Sequence, residues 1–216
     1  MLDASDFLGI VLNSSPLVVF GERGVGKTSF LLTLAKSLIQ SYQANVFMIL
    51  REKFDRVPEG VRVIYASNDL FGEEYLGLVR RGFEEISKTM KNFEAGRRIA
   101  FLLDDVVPKR LLLAKFSDAR LATFLPKVLF WGKILSSLMS AVFIVSTLEN
   151  IRKGRPFKAK YYLKYGFNFL RVERISRIRR LCLMRFRRKK GRIVGFDKIC
   201  KNAMLVEGEF IVVETE

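Results

Sequence analysis

The sequence predicts an α/β fold, a mostly parallel sheet flanked by helices with an antiparallel extension towards its C-terminal end. Three observations carry this. Short runs that are apolar on both sides alternate with helical stretches as far as Ser146. A glycine-rich loop stands between the first such run and the first long helix. After Phe167 the strands shorten and are joined by tight-turn signals such as Lys189-Lys190-Gly191.

The elements follow in order. Residues 17–20 form a strand that ends in glycine, and residues 27–41 a helix. Residues 46–50 and 61–65 are the next strands, followed by a helix over 72–90. A strand over 99–103, a helix over 124–138 with Pro126 marking its start, and a strand over 141–146 complete the alternation. Residues 167–174, 181–187, 192–199 and 210–213 read as antiparallel strands on the sheet edge. With no repeat, low-complexity tract or Pro/Gly/Ser linker, residues 1–216 are expected to be one domain whose part from 151 to 216 is basic.

Composition narrows the chemistry. Half of the 216 residues are hydrophobic and the mean hydropathy is +0.15, which excludes general disorder. There is no histidine, so Ser-His-Asp and Cys-His catalysis, His-ligated zinc and an imidazole pH switch are excluded. Cys182 and Cys200 are too few for an all-cysteine zinc site or a disulfide framework. They read as two small buried hydrophobes, in keeping with a reducing cytoplasm. The first apolar run has acids and no basic residue ahead of it, unlike a signal peptide. Residues 128–148 carry a single charge, Lys133, but their polar serines and β-branched second half favour a helix and a buried strand over a membrane span.

The strongest motif is Gly21-Glu22-Arg23-Gly24-Val25-Gly26-Lys27-Thr28, a G-x-x-x-x-G-K-T loop that follows a strand and opens a helix. Its glycines let backbone N–H groups surround phosphate oxygens, and the helix N-terminus adds partial positive charge. A solvated Lys27 is expected to reach the β- and γ-phosphates of ATP and Thr28 to hold Mg²⁺, with Ser29 completing the nucleotide-binding stretch. Asp104 ends an apolar strand and is the expected second metal-orienting acid; Asp105 is expected to be solvated or at the sheet edge. Glu52, just past a strand expected beside that of the P-loop, could orient the attacking water. Its alternative is a surface ion pair with Arg51 or Lys53.

Charge points to the partner. Residues 151–201 hold 19 Lys and Arg against Glu173 and Asp197, while the remainder of the chain is almost neutral. Such a concentration needs a counter-anion. Arg152, Lys153, Arg155, Lys158, Lys160 and Lys164 interleave with Tyr161, Tyr162 and Tyr165, a composition suited to phosphates and stacked bases. DNA, single-stranded by preference, is the expected partner, ahead of an anionic membrane or an acidic protein. The tyrosines could equally be core residues.

The arrangement resembles the RecA/RadA superfamily, most of all the short archaeal RadA paralogues of RadB type and the KaiC-like ATPases. The likeness rests on the P-loop, on the glutamate and Arg/Pro turn of Arg51-Glu52-Lys53-Phe54-Asp55-Arg56-Val57-Pro58, and on the late Leu170-Arg171-Val172 strand. It implies a RecA-like P-loop ATPase core, a basic DNA-facing loop after the fifth strand, and homo-oligomers or a recombinase partner. Arg185-Phe186-Arg187 stands where the family carries Lys-x-Arg reaching a neighbour's nucleotide. Ser146-Thr147-Leu148 replaces its polar Asn-Gln sensor. The implied function is a weakly hydrolysing ATPase that binds DNA and assists recombination or repair. A nucleotide-gated adaptor and a KaiC-like signalling ATPase are the alternatives.

Overall fold

The computed structural model describes residues 4–67, 70, 73–90, 98–107, 118–138, 140–150 and 154–213. In chain order the elements are α1 (Ala4–Leu12), β1 (Leu17–Gly21), α2 (Lys27–Tyr42), β2 (Asn45–Leu50), β3 (Arg62–Tyr65), α3 (Glu73–Met90) and β4 (Ile99–Leu103). There follow α4 (Asp118–Leu138), β5 (Val142–Asn150), β6 (Arg155–Pro156), α5 (Ala159–Lys164), β7 (Asn168–Ile175), β8 (Ile178–Lys189), β9 (Arg192–Val206) and β10 (Glu209–Val213).

The strands lie in the order β10-β9-β8-β7-β1-β5-β4-β2-β3, with β6 against β5. From β7 to β3 neighbours are parallel; from β7 to β10 they are antiparallel. Side chains alternate across the sheet and build two cores. Leu17 and Val19 of β1 pack with Phe7 of α1 and Phe30, Leu34 and Leu38 of α2. Val18 and Phe20 face the other way, onto Tyr75 and Val79 of α3, Phe124 and Val128 of α4, and Tyr162 of α5. Apolar residues on both faces made these strands legible, because a covered parallel sheet buries both sides.

Four expectations need correction. β2 is not beside β1: β5 and β4 lie between them. Pro126 sits inside α4, where no backbone N–H is available at that position, instead of at its start. Residues 4–12, to which the sequence assigned no element, form a helix that buries Phe7 and Val11 under the sheet. Cys182 and Cys200 are joined by a disulfide, with Cα atoms 4.1 Å apart, because the β8–β9 register sets them directly opposite. Sequence composition carries no register, so that pairing was invisible before folding.

The run 128–148, with Lys133 its single charge, splits as expected, its first half in α4 and its second in β5. Among the described residues no helix is long and apolar enough to cross a membrane. The hairpin turns also match their chemistry. Lys190 and Gly191 join β8 to β9 with φ of 48° and 75°, the pair of left-handed residues that a two-residue hairpin favours.

Candidate functional site

β1 delivers the chain into loop 21–28 and α2 carries it away, so the loop lies at the carboxyl end of the parallel strands. Gly21 has no room for a side chain: a Cβ there would stand 2.2 Å from Val172 O on β7. Gly24 and Gly26 take φ of 76° and 98°, the left-handed backbone that turns amides inward. No side chain caps the start of α2, so its first amides face the loop.

Lys27 is 7% exposed, not solvated as the sequence suggests. Its Nζ donates to Gly21 O at 3.2 Å and Glu22 O at 2.8 Å. Carbonyls of the surrounding loop satisfy the ammonium, which makes its burial tolerable. Arg179, at the start of β8, braces the same loop by donating from Nε to Val25 O at 2.9 Å.

Thr28 Oγ1 donates to the Asp104 carboxylate, at 3.1 Å from Oδ1 and 3.0 Å from Oδ2. Ser146 Oγ, midway along β5, donates to Asp104 Oδ1 at 2.8 Å and accepts the Asp105 N–H at 2.8 Å. Asp104 N–H donates to Ile49 O of β2. Burial first, then the neighbouring Asp105, push the Asp104 carboxyl up to about 6; the bonds from Ser146 and Thr28 and the charge of Lys27 oppose this. A hydroxyl and a carboxylate side by side at a glycine loop are the oxygen donors that Mg²⁺ takes together with phosphates. The residues present fit that ion.

Asp105, expected to be solvated or at the sheet edge, follows the end of β4 with its carboxylate partly buried. It takes a left-handed φ of 39°, and its Oδ1 is buried with no hydrogen-bond partner. Around it lies a polar layer that sequence reasoning missed. Arg51 is buried and donates from Nε to Asp105 O at 3.1 Å and from Nη1 to Ser67 O and Leu70 O at 2.8 and 2.6 Å. Its guanidinium stacks 4.6 Å from the Tyr75 ring. Burial lowers the Arg51 pKa, while Tyr75, Asp105 and Asp104 hold it up. The available signal was positional: Arg51 ends the β2 run as Asp104 ends that of β4. Arg51 is therefore a buried group and not the surface residue expected. Glu52 itself is exposed, past the end of β2 and beside the Asp104 strand.

The remaining expected residues lie elsewhere. Arg185 and Arg187 extend beyond the first residue of β7, where Phe186 N–H donates to Asn168 Oδ1. That is the opposite edge of the sheet from loop 21–28, so they do not reach their own chain's loop. Arg152 and Lys153 lie outside the described residues. Arg155, Lys160 and Lys164 are exposed, and Lys158 and Tyr161 are half-buried. Tyr162 is fully buried, its ring 5.9 Å from Phe167 and its hydroxyl beside that of Thr147. It cannot stack on a base, because one turn of α5 that exposes Lys160 and Lys164 turns Tyr162 into the core.

No protein-family model and no curated protein matches the sequence. Among solved structures the chain is similar to a KaiC-like protein from the hyperthermophilic archaeon Pyrococcus horikoshii OT3. The TM-score is 0.58 at 13% identity, over 92% of this chain and 88% of that one. The fold is RecA-like. In this RecA-like sheet the P-loop strand and the Asp104 strand are separated by β5, which places Ser146 between them.

Proposed function

We propose that the chain binds ATP with Mg²⁺ on loop 21–28, hydrolyses it slowly, and binds DNA through its basic C-terminal part in support of recombination or repair. The observation that carries the nucleotide reading is the meeting of Thr28 Oγ1 with the Asp104 carboxylate above a buried Lys27. Lys27 and the loop amides would bind the phosphates, and Thr28 and Asp104 would hold the metal, which supplies charge neutralisation when bound. A cleft of about 370 Å³ runs along α2 from Ser29 to Lys36, between Phe54, Arg56 and Pro58 and the β9–β10 turn at Gly208, and only its Ser29 end adjoins the phosphate loop.

The exposed Glu52 stands at the carboxyl edge of the sheet, where a carboxylate can orient water. Its exposure favours slow turnover, and it also supports the second reading, a nucleotide-gated adaptor. The DNA reading rests on the charge concentrated in residues 151–201.

The test is thermal unfolding with Mg-ATP, followed by turnover with and without single-stranded DNA. Saturation near 100 times Kd should stabilise the wild type by about 2.7 kcal/mol, a rise of several degrees. Lys27→Ala should fold and lose that rise. An undiminished ATP shift in Lys27→Ala would overturn the nucleotide reading. Turnover stimulated by DNA supports the ATPase, and tight binding without turnover supports the adaptor.

A further inference from the structure

The two parts of the basic segment meet on one face of the sheet. β8 continues past the first residue of β7, so from Arg185 to Lys198 the β8–β9 hairpin is a two-stranded ribbon with no third strand beside it among the described residues. The ribbon carries seven cations and one acid, Asp197, which lies 3.5 Å from Arg187 Nε. A row of aromatic rings runs out along it from the core. Phe20 and Phe169 are 5.9 Å apart, Phe169 and Phe186 4.9 Å, and Phe186 and Phe196 6.0 Å. Phe20 and Phe169 are buried, Phe186 is half-buried, and Phe196 is 53% exposed.

Arg188 ties this ribbon to the α5 region. Its Cζ lies 5.8 Å from the Phe186 ring and its Nη2 donates to Phe167 O at 3.2 Å. Just before Phe167, Lys164 Nζ is 5.9 Å from the Tyr165 ring, and Tyr165 meets the exposed Phe130 at 6.5 Å. Cations and rings therefore alternate from the ribbon to the end of α5.

We propose that Phe196 is the stacking platform of a single-stranded nucleic-acid site that runs across Arg188 to Lys164 and Tyr165. This rests on the DNA reading above and names the residues that would carry it. A ring supported from below by Phe186 and flanked by guanidinium and ammonium groups offers a base a π-face and its phosphates a counter-charge. Two other occupants suit the surface less well. A membrane needs one apolar face, whereas cations stand on both faces of this ribbon: Arg188 shares the Phe186 face and Arg187 takes the other. A second copy would bring the same excess of positive charge against itself.

The test is fluorescence anisotropy of labelled oligo-dT with the full chain, across a salt series, alongside phosphatidylserine vesicles. Phe196→Ala should weaken oligo-dT binding about 5- to 100-fold while leaving the salt slope unchanged, because stacking releases no counterions. Arg188→Gln should reduce the slope by about 0.7, the single-strand value for one phosphate contact. Phe196→Trp should bind as wild type and add an indole signal that oligo-dT quenches, over that of Trp131. Wild-type affinity in Phe196→Ala, with an unquenched Phe196→Trp, would overturn the platform and leave the DNA reading standing. A wild type that ignores oligo-dT, whether or not it binds the vesicles, overturns both.

Discussion

Thr28 and Asp104 lie 76 residues apart in the chain and share a hydrogen bond, with Thr28 Oγ1 3.0 Å from Asp104 Oδ2. The bond joins the start of α2 to the end of β4 across the intervening β5. It places a hydroxyl and a carboxylate where one cation can touch both.

The first prediction concerns that carboxylate. Asp104 in the folded chain holds its proton to about 6, against 3.8 for an ordinary aspartate. Between those values the folded state binds more protons than the unfolded state, so stability falls as pH rises through this window. Asp104→Asn removes the loss. Without nucleotide it should melt higher than wild type at neutral pH, by a margin on the order of 1–3 kcal/mol, and match it near about pH 4. Metal-dependent ATP binding should disappear. Melting curves that run parallel for the two proteins at every pH would refute the buried-carboxylate account.

Tyr162 separates core from contact. Its buried hydroxyl has that of Thr147 beside it, so Tyr162→Phe should fold within about 1 kcal/mol of wild type and keep its affinity for oligo-dT. Tyr162→Ala should lose roughly 3–5 kcal/mol, because the ring fills the core beside Phe167. Urea titrations and the anisotropy assay measure both. A Tyr162→Phe protein that folds normally but loses oligo-dT affinity would return this residue to the binding surface.

For the positive segment, the expectation is steep salt dependence. If about five phosphates are contacted, log K should fall against log salt with a slope of about −3.5 on single strands and about −4.5 on duplex. Neutralising Arg152, Lys153, Arg155, Lys158 and Lys160 together should flatten it. An unaltered slope would move the contacts onto the ribbon alone.

Arg187 can act on a nucleotide only in another subunit, since it stands at the far edge of the sheet from its own loop. Arg187→Ala should bind ATP normally yet turn it over more than about tenfold more slowly, as a guanidinium supplied in trans serves the developing charge. Mixed with Lys27→Ala, it should recover activity that neither variant shows alone, because one interface then holds both intact halves. Mixed oligomers without recovery would assign Arg187 to nucleic acid or to the fold.

The sequence by itself determined the alternation of strands and helices and the phosphate loop. Both are local: a buried parallel strand must be apolar on two faces, and G-x-x-x-x-G-K-T needs only its own eight residues between a strand and a helix. Asp104 was legible for the same reason, as the acid ending an apolar run. The tertiary structure decided everything that depends on strand order and register. It separated β2 from β1 and set Cys182 opposite Cys200. It also slid Arg51 beneath Tyr75 and laid Ser146 between the two strands that carry the site. In the basic segment, composition showed cations among aromatics but could not say which rings face water. One helical turn buried Tyr162, and an unpartnered hairpin exposed Phe196. A side chain's exposure follows from which element covers it, and that is fixed only when distant parts of the chain pack together.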